Sequence, residues 1–190
     1  KAVNKSVMPY NNGNSVPECK YYPANNKSVV INNLTFNRSP QSKYKTYLCE
    51  ITGIDGFTIE NVAVNTPENN GENDQIITIN NCTNVYFNSL IIDGTYSRPD
   101  YSGYGIAMNN VWNFSAHNMY GHGNWGVFGT NNISNVSITN SDINRFDIHC
   151  YGRDVSFKSV TFRNKYNQFS SVYGTISFDE CVFINCVPVV

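Results

Sequence analysis

The chain has 190 residues, a formal net charge of -1 and only 14% charged side chains. This length fits one domain with a sizeable core, and the lack of a basic footprint argues against a nucleic-acid binder. No apolar stretch approaches the length of a bilayer-spanning segment, so membrane insertion is not expected. About one residue in six is asparagine and 14% are aromatic. Uncharged amides with exposed aromatic rings suit a sugar-binding surface, although turns alone could use that much asparagine.

The chain divides into a short lead-in and a long repetitive part. Residues 1–27 carry no repeat and contain three prolines, which predicts an extended lead-in or N-terminal cap. Residues 28–190 carry recurring apolar strands. Because the chain starts at Lys1 without a signal peptide and ends directly after an apolar run, we expect this part to be a fragment of a longer solenoid.

The repeat is visible in three segments that begin at Asn80, Asn109 and Asn131, with the sequences NNCTNV, NNVWNF and NNISNV. Their offsets are 29 and 22 residues. Aligning the chain on them predicts three ladders of stacked apolar residues. The first contains Ile76, Ile106, Val127, Ile148 and Phe169, the second Phe57, Val85, Phe114, Val136, Val155 and Ile176, and the third Phe36, Val64, Ile91, Gly121, Ile143, Phe162 and Phe183.

These ladders predict an all-β, right-handed, single-stranded parallel β-helix, a solenoid of coils of about 21 residues with three short strands each. Apolar residues alternate with polar ones along each strand, which buries one face. A β-sandwich is the competing fold, but it predicts no ladder at a fixed offset. Asparagines tolerate the left-handed backbone of tight bends and are predicted to share one corner of successive coils. They are Asn33, Asn61, Asn88, Asn118 and Asn140.

Over about residues 28–186 the chain resembles the pectin lyase-like parallel β-helix superfamily. That superfamily includes polysaccharide lyases, polygalacturonase-like glycoside hydrolases and phage tailspike depolymerases. Gly121-His122-Gly123 matches the G-H-G element of the polygalacturonase-like hydrolases, and Asn73-Asp74 lies near the place of their N-T-D element. The D-D pair is missing, with Gly103-Tyr104 at its approximate place, and no R-I-K element follows, although Arg145 lies one coil on from His122. The resemblance implies a polysaccharide-cleaving β-helix in which His122 is a catalytic candidate.

The cysteines and acidic residues indicate no metal or cofactor site. The six cysteines lack the spacing of a zinc site, and most fall at inward positions, which predicts buried free thiols. Cys181 and Cys186 are the pair close enough to suggest a disulfide. The acidic residues are scattered instead of gathered as calcium requires. Alignment of the repeats predicts that Trp112 occupies the same inward position as Cys82 and Ile133 and fills the core.

The segment NRFDIHCYGRD, residues 144–154, is the most chemically loaded stretch. Strand alternation predicts that Phe146, Ile148 and Cys150 point inward while the residues between them form an outward row. Small residues on the neighbouring coils would leave a shallow trough beside that row, in which a sugar chain could lie. The catalytic candidates are Asp147, His149, Arg145 and His122, and the substrate-binding candidates are Arg153, Tyr151, Trp125, Tyr104 and Tyr120.

Three functions follow from this pattern. The first is a secreted or cell-surface enzyme, hydrolase or lyase, that cleaves a polysaccharide, with His149 or His122 moving a proton. The second is a non-catalytic glycan-binding, adhesion or tailspike-like module. The third is a rigid spacer that forms homotrimers through apolar flanks. For the loaded segment the structural alternative is a surface ion-pair network of Arg145, Asp147 and Arg153.

Overall fold

The computed structural model describes residues 28–37, 48–66, 75–94, 104–122, 125–186 and 188–189. In these ranges the protein is all-β: every element is a strand, and no helix long and apolar enough to cross a membrane occurs. The predicted lead-in, residues 1–27, lies outside them. The strands are β1 (Val29–Asn37), β2 (Cys49–Thr52), β3 (Asp55–Thr66), β4 (Ile77–Gly94), β5 (Tyr104–His117), β6 (Tyr120–His122), β7 (Gly126–Ile143), β8 (Phe146–Arg163), β9 (Asn167–Phe169), β10 (Val172–Asp179), β11 (Val182–Ile184) and β12 (Pro188–Val189).

The strands pair in parallel, each with a strand further along the chain, in the order β1-β3-β4-β5-β7-β8 through the body of the sheet. The second predicted ladder is confirmed residue by residue, because Phe57 pairs with Val85 and each further member pairs with the next up to Ile176. Residues about 21 or 28 apart in sequence therefore lie side by side on neighbouring strands.

The first and third ladders are partly wrong in register. Ile106 pairs with Phe128 and not with Val127, while Ile148 pairs with Thr130. The third ladder runs through Ile92, because Ile92 pairs with both Val64 and Gly121, and Ile91 is 44% exposed. An irregularity between Thr130 and Asn131 shifts the register there. Adjacent apolar residues, as in Val127 and Phe128, made the inward member ambiguous.

A continuous column of phenylalanine rings fills the interior. It runs across the strands from Phe57 through Phe87, Phe114 and Phe128 to Phe146, with neighbouring ring centroids 5.0–6.2 Å apart. The column then widens into a cluster around Phe157. Edge-to-face and offset aromatic pairs are worth about 0.5–1.5 kcal/mol each beyond the area they bury. The rings therefore tie each strand to the next one.

Left-handed residues mark the bends, and asparagine fills most of these positions. The predicted corner is confirmed at Asn33, Asn61, Asn118 and Asn140, which all have φ between 47° and 52°. The prediction for Asn88 is wrong, because its neighbour Ser89 has a φ of 53° and occupies the corner. Asparagine is common here because its short side chain tolerates the left-handed backbone.

The five cysteines in the described ranges are free thiols, so Cys181 and Cys186 form no disulfide. Cys82 is buried as predicted, whereas the other four are half-buried. The inward placement of Cys150 is wrong, because its Sγ lies 3.3 Å from Asn131 Oδ1 at the bend. The predicted inward position of Trp112 is also wrong. It pairs with Thr83 and Ser134, while Val111 takes the slot of Cys82.

The thiols make stability sensitive to alkali. Burial raises the pKa of the Cys49 thiol from its ordinary 9.0 to about 12. Since the unfolded thiol ionises first, the stability that the neutral thiol contributes is intact below pH 9 and is lost as the pH rises from 9 towards 12. We expect denaturant unfolding to show this decline, and Cys49→Val to flatten it. An alkaline slope equal in both proteins would contradict the assignment.

Candidate active site

Arg145 and Asp147 form a buried ion pair at the start of β8. Arg145 Nη2 lies 2.5 Å from Asp147 Oδ2, and the two residues are 1% and 0% exposed. Asp147 also accepts hydrogen bonds from the Gln168 backbone N–H at 3.0 Å and from the Tyr104 hydroxyl at 2.6 Å. The prediction that both charges point outward into solvent is therefore wrong, as is the surface ion-pair alternative.

Two glycines of β7 explain why the charges are covered. A Cβ atom at Gly126 would lie 2.8 Å from the Arg145 Cβ, and a Cβ atom at Gly129 would overlap the Tyr104 ring. The space that these glycines leave is thus filled by the side chains of Arg145 and Tyr104. The predicted shallow floor of the trough is not open at these positions.

Aromatic rings enclose the guanidinium group. Arg145 Cζ lies 4.2 Å from the ring centroids of both Trp125 and Tyr166 and 5.8 Å from that of Tyr104, distances at which cation–π attraction operates. Burial alone would lower the pKa of Arg145, but the hydrogen bond and charge of Asp147 more than compensate, so its pKa is raised. Sequence reasoning missed Tyr166, although it follows Arg145 by one 21-residue repeat.

Tyr104 links the buried pair to an exposed histidine. Its hydroxyl lies 2.9 Å from His149 Nε2 as well as against Asp147, and the two rings meet edge to face with centroids 5.4 Å apart. Burial, and then the hydrogen bond and charge of Asp147, raise the pKa of Tyr104 well above 10, which keeps the phenol neutral. The His149 side chain is 40% exposed. Tyr104 therefore holds the imidazole of His149 in place by a hydrogen bond, and the imidazole is the member of this cluster that solvent reaches.

His122 and Tyr120 belong to a different cluster on β6. His122 Nε2 lies 2.8 Å from Asp142 Oδ1, and Arg163 donates to both carboxylate oxygens of Asp142 at 2.8–2.9 Å. The Tyr120 ring stacks on His122 with centroids 4.5 Å apart. The arginine of this cluster is Arg163, which reaches His122 through the carboxylate of Asp142.

Arg153 and Tyr151 lie at the bend that follows His149. Tyr151 has a left-handed φ of 54°, so it does not continue the row of Asp147 and His149. Arg153 is exposed and pairs with Asp154 at 3.3 Å. Of the nine predicted site residues, the structure brings together Asp147, His149, Arg145, Tyr104 and Trp125. The other four are His122, Tyr120, Tyr151 and Arg153.

Within the described ranges, no group of three or more histidine, cysteine, aspartate or glutamate side chains is placed to hold a metal ion. What the site offers is one buried carboxylate, a neutral phenol and an exposed imidazole. Comparisons of the chain with models of protein families, with curated proteins and with solved structures each find no match.

Proposed function

We propose that this chain is a right-handed parallel β-helix of a secreted or cell-surface protein, and that it binds and cleaves a polysaccharide. The β-helix is supported by the parallel register between residues about 21 or 28 apart and by the left-handed bends that recur in register. A right-handed turn is expected because parallel crossover connections are almost always right-handed. Fold alone does not carry the activity, which has to come from the site.

The observation that carries the proposed activity is the double contact of the Tyr104 hydroxyl, with Asp147 on one side and His149 on the other. Histidine titrates nearest neutral pH and is the most common general acid or base. In this proposal His149 exchanges protons with the glycan, and Tyr104 orients its ring. Arg145 and Asp147 act as positioning residues, because they are buried and hold each other and Tyr104.

The products of cleavage distinguish a hydrolase from a lyase. Most glycoside hydrolases flank the scissile bond with two carboxyl groups, whereas Asp147 is the carboxylate that contacts Tyr104 and it is already engaged by Arg145. Elimination, the reaction of polysaccharide lyases, needs proton carriers and no pair of carboxylates, but it removes the proton beside the carboxyl group of a uronic acid and so applies to acidic polymers alone. Unsaturated product ends would therefore assign a lyase, and new reducing ends without unsaturation would assign a hydrolase.

The test is product release from a panel of neutral and acidic polysaccharides. We expect His149→Gln to lower the rate by about 100-fold or more without shifting the thermal midpoint, because the side chain is partly exposed. His117→Gln is the matched control, since His117 bonds Thr139 on a different part of the sheet. A His149→Gln protein that cleaves as fast as the wild type would overturn the proposed site.

A non-catalytic glycan-binding or adhesion module is the second candidate. It is favoured by the burial of Arg145 and Asp147 beneath aromatic rings, an arrangement that braces the fold instead of exposing reactive charge. It predicts that the wild-type protein retains a polysaccharide through long incubation without releasing soluble product. Release of product that depends on His149 would exclude it.

A further inference from the structure

A strip of stacked amides lies where β4, β5 and β7 bend, at the left-handed residues that follow Asn80, Asn109 and Asn131. Three columns run across neighbouring strands, and each amide Nδ2 donates to the Oδ1 of the preceding member at 2.6–3.0 Å. We call these nine residues the amide strip, and none of them is buried. Its columns are Asn80, Asn109 and Asn131; Asn81, Asn110 and Asn132; and Asn84, Asn113 and Asn135.

The strip retains hydrogen-bonding capacity for a ligand. Each primary amide has two N–H donors and two acceptor lone pairs, and the ladder uses one donor and one lone pair of an inner member. The ladder also holds the side chains in one orientation, so a ligand that bonds them restricts little further rotation. Neighbouring strands are about 4.8 Å apart. The strip therefore presents a regular, pre-ordered array of neutral donors and acceptors.

An aromatic ring lies within this array. Trp112 pairs with Thr83 and Ser134 on the adjacent strands, and its immediate neighbours in sequence include Asn113 of the third column. It is half-buried on the outward side of the bend, while Val111 beside it is buried. An amphipathic ring in register with Thr83 and Ser134 and next in sequence to Asn113 suits a ligand with apolar faces and polar edges, as a pyranose ring has.

The charged side chains at the two ends of the strip already have hydrogen-bond or ion-pair partners. Asp55 accepts from Thr83 Oγ1 at 2.5 Å and from Asn84 Nδ2 at 2.6 Å. At the opposite end Arg153 pairs with Asp154. Between these ends the amides, Thr83, Trp112 and Ser134 carry no charge. Complementarity therefore favours an uncharged ligand over a polyuronate, a sulfated glycan or a nucleic acid.

From these observations we infer that the amide strip, with Trp112, binds an uncharged polysaccharide chain. The inference deepens the proposed function, because it depends on a glycan partner but uses residues other than Tyr104 and His149. In this arrangement the strip anchors the protein to a neutral polymer, which can be cleaved by hydrolysis but not by elimination. Proton transfer takes place at His149, which precedes the bend by one residue. Binding at the strip and cleavage at His149 are therefore separable.

The test is electrophoretic retardation of the full chain in gels that contain a soluble neutral polysaccharide, β-glucan, mannan or xyloglucan, with pectate and alginate as acidic polymers. Trp112→Ser is the diagnostic variant, because serine already occupies this position on the next strand at Ser134. Tyr86→Ser is its matched control. Tyr86 is an exposed aromatic residue on another outward column, where the next strand also carries serine, Ser115.

We expect at least one neutral polymer to retard the wild type, and Trp112→Ser to weaken this binding by about tenfold, as for an aromatic anchor. Tyr86→Ser should bind like the wild type, and His149→Gln should still be retarded because the strip is intact. Retardation by acidic polymers alone, by no polymer, or equally with and without Trp112 would overturn the inference. Binding that persists in His149→Gln while cleavage is lost supports both proposals. Cleavage that persists in His149→Gln while Trp112→Ser fails to bind overturns only the proposed active site.

Discussion

Replacing Asp147 by alanine is expected to lower the free energy of unfolding by about 3–5 kcal/mol, because it leaves the buried Arg145 cation without its partner. Both residues are at most 1% exposed. The same substitution removes the acceptor of the Tyr104 hydroxyl and of the Gln168 backbone N–H. Denaturant unfolding of the variant beside the wild type measures the loss.

Two controls separate the buried pair from charge in general. A double variant, Arg145→Met with Asp147→Leu, removes both charges and is expected to recover much of the stability, since apolar replacement of a buried pair is often close to neutral. Asp179→Ala breaks the exposed pair with Lys158 and should leave the unfolding midpoint nearly unchanged. An Asp147→Ala protein that unfolds at the wild-type denaturant concentration would show that solvent reaches Arg145.

The burial of this pair also shows where the sequence stops being informative. Alternation along a strand predicts which residues share a face, and it places Arg145 and Asp147 together correctly. It does not predict what covers that face. Tyr104 and Trp125 come from neighbouring strands, and they close over the pair because Gly126 and Gly129 leave room for Arg145 and Tyr104. Small residues beside Asp147 and His149 predict an open floor, whereas at Gly126 and Gly129 the missing side chain marks close packing.

The register could be predicted where one apolar residue stands between polar ones. The ladder through Phe114 and Val136 is of this kind, and it is correct throughout. Where apolar residues are adjacent, as at Ile91 and Ile92, period-two alternation cannot say which one faces inward, and a slip of one residue exchanges the faces. The bends were predictable for a different reason, since left-handed backbone favours asparagine whatever the packing.

Replacing Phe157 by alanine is expected to cost about 3–5 kcal/mol of the free energy of unfolding, the usual range for a buried phenylalanine. Phe157 is fully buried and its ring lies 5.2–5.9 Å from those of Phe146, Phe162, Phe169 and Phe178. Two of these rings belong to β8 itself and the other two to β9 and β10, so the cavity cannot be closed by the shift of one neighbour. Denaturant unfolding measures the cost.

The range over which Phe157→Ala affects the stability of other strands distinguishes a stack of coils from an undivided core. In a solenoid each repeat contacts its neighbours alone, so stability is a sum of local terms. Phe57 on β3 is separated from Phe157 by four strand spacings, about 19 Å, and the two alanine substitutions should add within about 0.5 kcal/mol. Phe178, stacked on Phe157 at 5.2 Å, should instead show coupling of at least that size.

The same locality predicts that Phe157→Ala changes amide hydrogen exchange in the strands near Phe157 alone. Amides of β8, β10 and β11 should exchange faster than in the wild type, while those of β3 and β4 keep more of their protection, because opening can be confined to neighbouring strands. Uniform loss of protection from β3 to β11, together with strong coupling between Phe57 and Phe157, would mean that the strands unfold as one unit. The proposed winding into independent coils would then be wrong, since its energetic signature is locality.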